Sequence, residues 1–68
     1  MRISARNHFV GKITEIKLGD IQAHVVIKVG DHVVEAIVTR KSAEELKLTV
    51  GDTVGALIKA SDVIIQKA

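Results

Sequence analysis

Ser4, Arg6 and Asn7 crowd three hydrogen-bonding side chains into four consecutive positions just before the chain's first apolar alternation. A core strand gains nothing from such an entry, because each buried polar group must find a partner or lose stability. A site that holds an anion gains a great deal. Arg6 offers a rigid fork of N–H donors, and Ser4 and Asn7 add neutral ones. The stretch raises a question that the remaining elements must answer: what brings further donors to it?

The chain has 68 residues, enough for one domain (1–68) and near the size at which a single core barely suffices. It has no cysteine to staple the fold and no apolar run long enough to span a bilayer as a helix. It is read as a cytoplasmic protein. Hydrophobic residues make up 47%, yet Phe9 is the sole aromatic and proline is absent, so the apolar mass is Val, Ile, Leu and Ala. That mixture favours strands. So apolar a chain, with no staple, is expected to cover its excess surface with copies of itself. Ten basic and eight acidic residues are interspersed, and no block of like charge forms a nucleic-acid arm.

Three Gly-Asp pairs, Gly19-Asp20, Gly30-Asp31 and Gly51-Asp52, each come after an apolar residue and punctuate the chain as turns. Between the first two, Ile21, Ala23, Val25, Ile27 and Val29 alternate with Gln22, His24, Val26 and Lys28, the period of a strand. A two-residue hairpin at Gly30-Asp31 pairs Val29 with His32, Ile27 with Val34, Val25 with Ala36 and Ala23 with Val38. One hairpin face is then aliphatic. The other mixes Val26, Val33 and Ile37 with polar residues, which suits a subunit contact. Upstream, the alternation of Phe9 to Leu18 changes phase near Thr14-Glu15, the mark of a bulge. Ser42 and Glu45 form a capping box that opens a short helix ending by Leu48. A strand from Thr53 and a closing strand at Val63-Ile64-Ile65 complete the count. The expected fold is all-β with one short helix, a five-stranded OB-like barrel.

"ISARNHFVGKITEI" near the start and "AIVTRKSAEELKLTVGDTVGALIKASDVII" at the end resemble the molbindin, or Mop, domain family over essentially the whole chain. The resemblance implies an oxyanion-binding domain that takes molybdate or tungstate between subunits of a cytoplasmic hexamer, a trimer of dimers. It matches the anion-contacting segments to Ser4, Ala5, Arg6, Asn7, Thr39, Lys59, Ala60 and Ser61. Position 8, often Gln or Lys in such proteins, is His8 here. The chemistry of that set is coherent. Molybdate at neutral pH is a dianion with four acceptor oxygens and no proton to give. Arg6 and Lys59 supply charge; Ser4, Thr39 and Ser61 supply hydroxyls; Ala5 and Ala60 let the anion approach backbone N–H groups. Charge-assisted bonds contribute about 1.5–3 kcal/mol each, so two charges and several neutral donors reach micromolar affinity or better.

Singly, Arg6 and Lys59 are ordinary solvated charges, Thr39 an ordinary strand residue, and the Gly-Asp carboxylates turn chemistry. His8, His24 and His32 lack ligand spacing and cysteine company, so no metal site is expected. No nucleophile–base arrangement or P-loop suggests an enzyme, and no cofactor is implied. Two rivals stand beside the anion reading. A nucleic-acid-binding OB domain would need stacking aromatics, of which there is one. An oligomerisation or regulatory module would keep the shape without significant oxyanion binding.

Overall fold

The computed structural model describes residues 6–68. Four strands, β1 (Asn7–Leu18), β2 (Gln22–Val29), β3 (His32–Thr39) and β4 (Thr53–Ile58), form one antiparallel sheet in the order β3-β2-β1-β4. A short helix, α1 (Arg40–Glu45), lies between β3 and β4, and a single 3₁₀ turn, Ala60–Asp62, comes after β4.

The hairpin has the expected register, from Val29 opposite His32 to Ala23 opposite Val38. Gly30 sits at φ 59°, a conformation open to glycine and costly for most residues, so it belongs at the first loop position. The expected bulge is present too: the β1–β2 register shifts between Ile13 and Glu15. It lets one twelve-residue strand serve two partners, β4 along its first half and β2 along its second. The sheet curls around Ile13, Val25, Ile27 and Ala56, which are buried, with Ile16, Val34, Val38, Leu48 and Val54 packed against them.

Two expectations need correction. The helix is capped by Thr39, not by Ser42. Thr39 keeps an extended backbone and its hydroxyl accepts the Ser42 N–H at 3.0 Å, so the helix starts before the capping box. Ser42 is drawn into the cap as the hydroxyl partner of Thr39, at 2.8 Å. The second correction concerns strand number: among the described residues the sheet has four strands, a half-barrel, not five. Val63 is extended, with φ −87° and ψ 125°, but the run Val63-Ile64-Ile65 pairs with no described strand. Apolar composition suits a residue to a strand; a free edge within reach is what makes it one.

Candidate functional site

The β1–β4 ladder runs to Asn7 opposite Ile58. The Asn7 side chain reinforces this last step by donating from Nδ2 to the Ile58 carbonyl oxygen at 3.2 Å. Arg6 and Lys59 are each one residue beyond that pair, so strand pairing between residues 51 apart brings the two positions to the same end of the sheet. Ala60 and Ser61 lie in the 3₁₀ turn, which Asp62 N–H closes onto the Lys59 carbonyl at 2.9 Å. Arg6, Lys59, Ala60 and Ser61 are all exposed. Neither cation forms an ion pair with a described residue. Two positive charges at one end of the sheet with no described carboxylate partner suit a dianion. Ser4 and Ala5 lie outside the described residues.

Thr39 is elsewhere. It pairs with Gln22 at the far end of β2, beside the Leu18 end of β1. The steps from Asn7 to Leu18, at about 3.3 Å each, put roughly 36 Å of β1 contour between that end and Asn7. Its hydroxyl is also committed, accepting from Ser42 N–H and donating to Ser42 Oγ. The two hydroxyls share one hydrogen not used between them, which leaves Ser42 as the outward donor of the pair. Sequence reasoning gave Ser42 to capping alone; its three-residue spacing from Thr39 was the signal that the hydroxyls are coupled.

His8, next to Asn7, lies over Gly55 on β4. A Cβ on that glycine would come within 2.7 Å of the His8 Nε2. Glycine at 55 thus makes room for the imidazole beside the cation pair. Asp52, in the third Gly-Asp turn, accepts from Thr49 N–H at 2.9 Å and from Thr49 Oγ1 at 3.2 Å, so this carboxylate serves the turn. Among the described residues no three of His, Cys, Asp or Glu gather as a metal site. No helix among them is long and apolar enough to cross a membrane.

The TOBE domain profile matches residues 3–65. The chain belongs to the TOBE domain family. Its relatives make the subfamily plain. This TOBE domain is 41% identical over 66 residues to "Molybdenum-pterin-binding protein 1" of Clostridium pasteurianum, covering 96% of this chain and 97% of that protein. It is 38% identical over 66 residues to the "Molybdenum transport protein ModE" of Azotobacter vinelandii, covering 96% of this chain and 24% of that protein. It thus spans about a quarter of one relative and nearly all of the other. Among solved structures, a molybdate-binding protein from Sporomusa ovata superposes with a TM-score of 0.94 at 34% identity, over 98% of this chain and all of that one. The half-barrel is therefore the shape of a molybdate-binding fold.

Proposed function

We propose that this TOBE domain binds the molybdate or tungstate dianion at the end of the β1–β4 ladder and serves molybdenum storage or homeostasis in the cytoplasm. The observation that supports the reading is the Asn7–Ile58 pairing, which brings positions 6 and 59 to the same end of the sheet, with no described carboxylate paired to either cation. Arg6 and Lys59 supply the charge. Ser4, Ser61 and the backbone N–H groups of Ala5 and Ala60 supply neutral donors, and Asn7 holds the two strands in register through its own side chain.

Thr39 enters the same reading only across a subunit boundary, because its ladder position puts it at the opposite end of β1 from Asn7. A homo-oligomer, a hexamer by resemblance, joins one chain's Arg6–Lys59 end to another's Thr39–Ser42 end. The exposed apolar residues of the outer sheet face support such an assembly, with Val33 61% and Ile37 66% exposed. The names of the Clostridium and Sporomusa relatives support the ligand. In this reading the protein binds and releases an ion and performs no chemistry on it.

Isothermal titration with sodium molybdate tests the proposal. Saturable binding at micromolar concentration or tighter, weakened at least tenfold in Arg6→Ala, is the expected outcome. Heats no larger than those given by sodium chloride sink it.

A further inference from the structure

His8 stands at the anion end of the sheet with nothing yet to do. Ala56, opposite Phe9, is buried, so the alternate residues His8 and Leu57 project from the outer face of β1 and β4. The imidazole lies over Gly55, where a Cβ would come within 2.7 Å of Nε2 and 3.3 Å of Cδ2. The glycine is a notch in that face. A ring seated in it loses little further freedom on meeting a ligand. Its polar atoms are uncommitted: His8 is exposed and forms neither a hydrogen bond nor an ion pair with a described residue.

Pairing fixes what surrounds it. His8 is opposite Leu57, and one alternation further on the two strands reach Arg6 and Lys59. Lys59 keeps an extended backbone, with φ −64° and ψ 139°. Residues two apart on a strand share a face at about 7 Å, and a diagonal neighbour across the ladder is about as far, within reach of aromatic and long side chains. The charged groups around His8 are therefore Arg6 and Lys12 on its own strand, Lys59 beyond β4 and Asp62 in the 3₁₀ turn. On this face β4 offers only Thr53, Gly55 and Leu57, and β2 joins β1 only from Lys12 onward. Asp62, the one carboxylate of the set, pairs with no described cation. The surroundings are cationic.

We propose that His8 is a further residue of the anion site, an imidazolium that donates to the bound oxyanion and makes molybdate affinity depend on pH; this role rests on the anion-binding reading and sets how that site responds to acid. Histidine changes charge between about pH 5 and 8. Protonated, it brings a third positive charge and a donor on each ring nitrogen; neutral, it keeps one donor and no charge. Molybdate carries no proton at neutral pH, so the proton that matters there is the protein's. Affinity then rises as pH falls, and by reciprocity the arriving anion draws a proton onto the protein. One added charge about 7 Å from a dianion in water is worth roughly sevenfold in affinity at full protonation.

Titration calorimetry with sodium molybdate, at about pH 6 and about pH 8 and at low fixed ionic strength, tests the role in the parent and in His8→Gln. The parent is expected to bind at least about threefold tighter at the lower pH, part of the full-protonation value. His8→Gln should keep its fold by circular dichroism and bind equally tightly at both. His32→Gln, which alters a histidine on the opposite edge strand β3, should keep the parent's dependence. Near neutrality, titrations in two buffers of different ionisation enthalpy count protons: net uptake is expected in the parent and none in His8→Gln. Molybdate heats absent at both pH values fell the anion reading and the role of His8 with it. A parent that binds molybdate equally tightly at both, or a pH dependence that survives in His8→Gln, overturns the role of His8 alone.

Discussion

Replacing Arg6 by alanine removes one of two neighbouring cations without touching the aliphatic core. Arg6 is exposed and makes no ion pair with a described residue, so its interaction with a bound dianion is worked in a water-like dielectric. One unit-charge pair at 4 Å is worth about 1 kcal/mol there, and a dianion doubles it to about 2 kcal/mol. That is roughly thirtyfold in affinity, and any forked hydrogen bond to two oxygens adds to it. Lys59→Ala loses the same Coulomb energy without the fork, so it is expected to weaken molybdate binding at least tenfold, and Arg6→Ala by more. Ser61→Ala, which removes one neutral donor, costs less than either. Lys47→Ala keeps the same net charge as the Lys59 variant but lies after α1, and should leave affinity unchanged. Titration calorimetry at fixed ionic strength, with circular dichroism to check the fold, measures all four. An Arg6→Ala protein that remains folded and binds as tightly as the parent refutes the assignment, and equal losses in the Lys47 and Lys59 variants reduce it to bulk charge.

Three further outcomes are expected. Gly11→Ala should destabilise the fold by about 3 kcal/mol in urea, because its methyl would press on the Lys28 carbonyl oxygen and come within 2.8 and 2.9 Å of Val29 and Ile27 methyls, whereas Gly55→Ala meets only the exposed His8 ring and should stay within about 0.5 kcal/mol of the parent. Equal midpoints for the two variants would show that close backbone approach at Gly11 does not matter. Lys47→Gly should raise stability by about 1 kcal/mol, since Lys47 sits just past the helix C-cap at φ 54°, a left-handed conformation that glycine adopts freely; an unchanged melting temperature at matched protein concentration would count against it. Tungstate should displace molybdate, sulfate only weakly and hydrogen phosphate least, because a cluster of donors has no acceptor for the phosphate proton; displacement by phosphate as effective as by tungstate would mark a generic anion patch.

How far the sequence reveals this molecule depends on where each determinant lies. The β2–β3 register was legible because its loop and its alternation are local, and the bulge because a phase change in one strand is visible without knowing the partner. The helix cap was misplaced because Thr39 reads as one more strand residue until the chain turns at Arg40. The closing strand failed for the opposite reason. Val63-Ile64-Ile65 has the composition of a strand, but pairing is a property of edges, and no described strand of the same chain takes it up. The cations at 6 and 59 could be named by resemblance. Their place at one end of the sheet came only with the register of β1 on β4, and the clamping role of the Asn7 amide could not be read from the residue type at all.

The Asn7–Ile58 pair has a consequence beyond the anion. It makes the start of the first strand and the end of the last strand neighbours, so the sheet begins and ends on one side. A module with adjoining ends can be spliced into a larger chain, or copied head to tail, without stretching a strand or rerouting a loop. The same architecture can then serve as an almost whole protein in Clostridium pasteurianum and as a quarter of a longer one in Azotobacter vinelandii. Gene fusion finds in such a fold a unit that already comes with its seam closed.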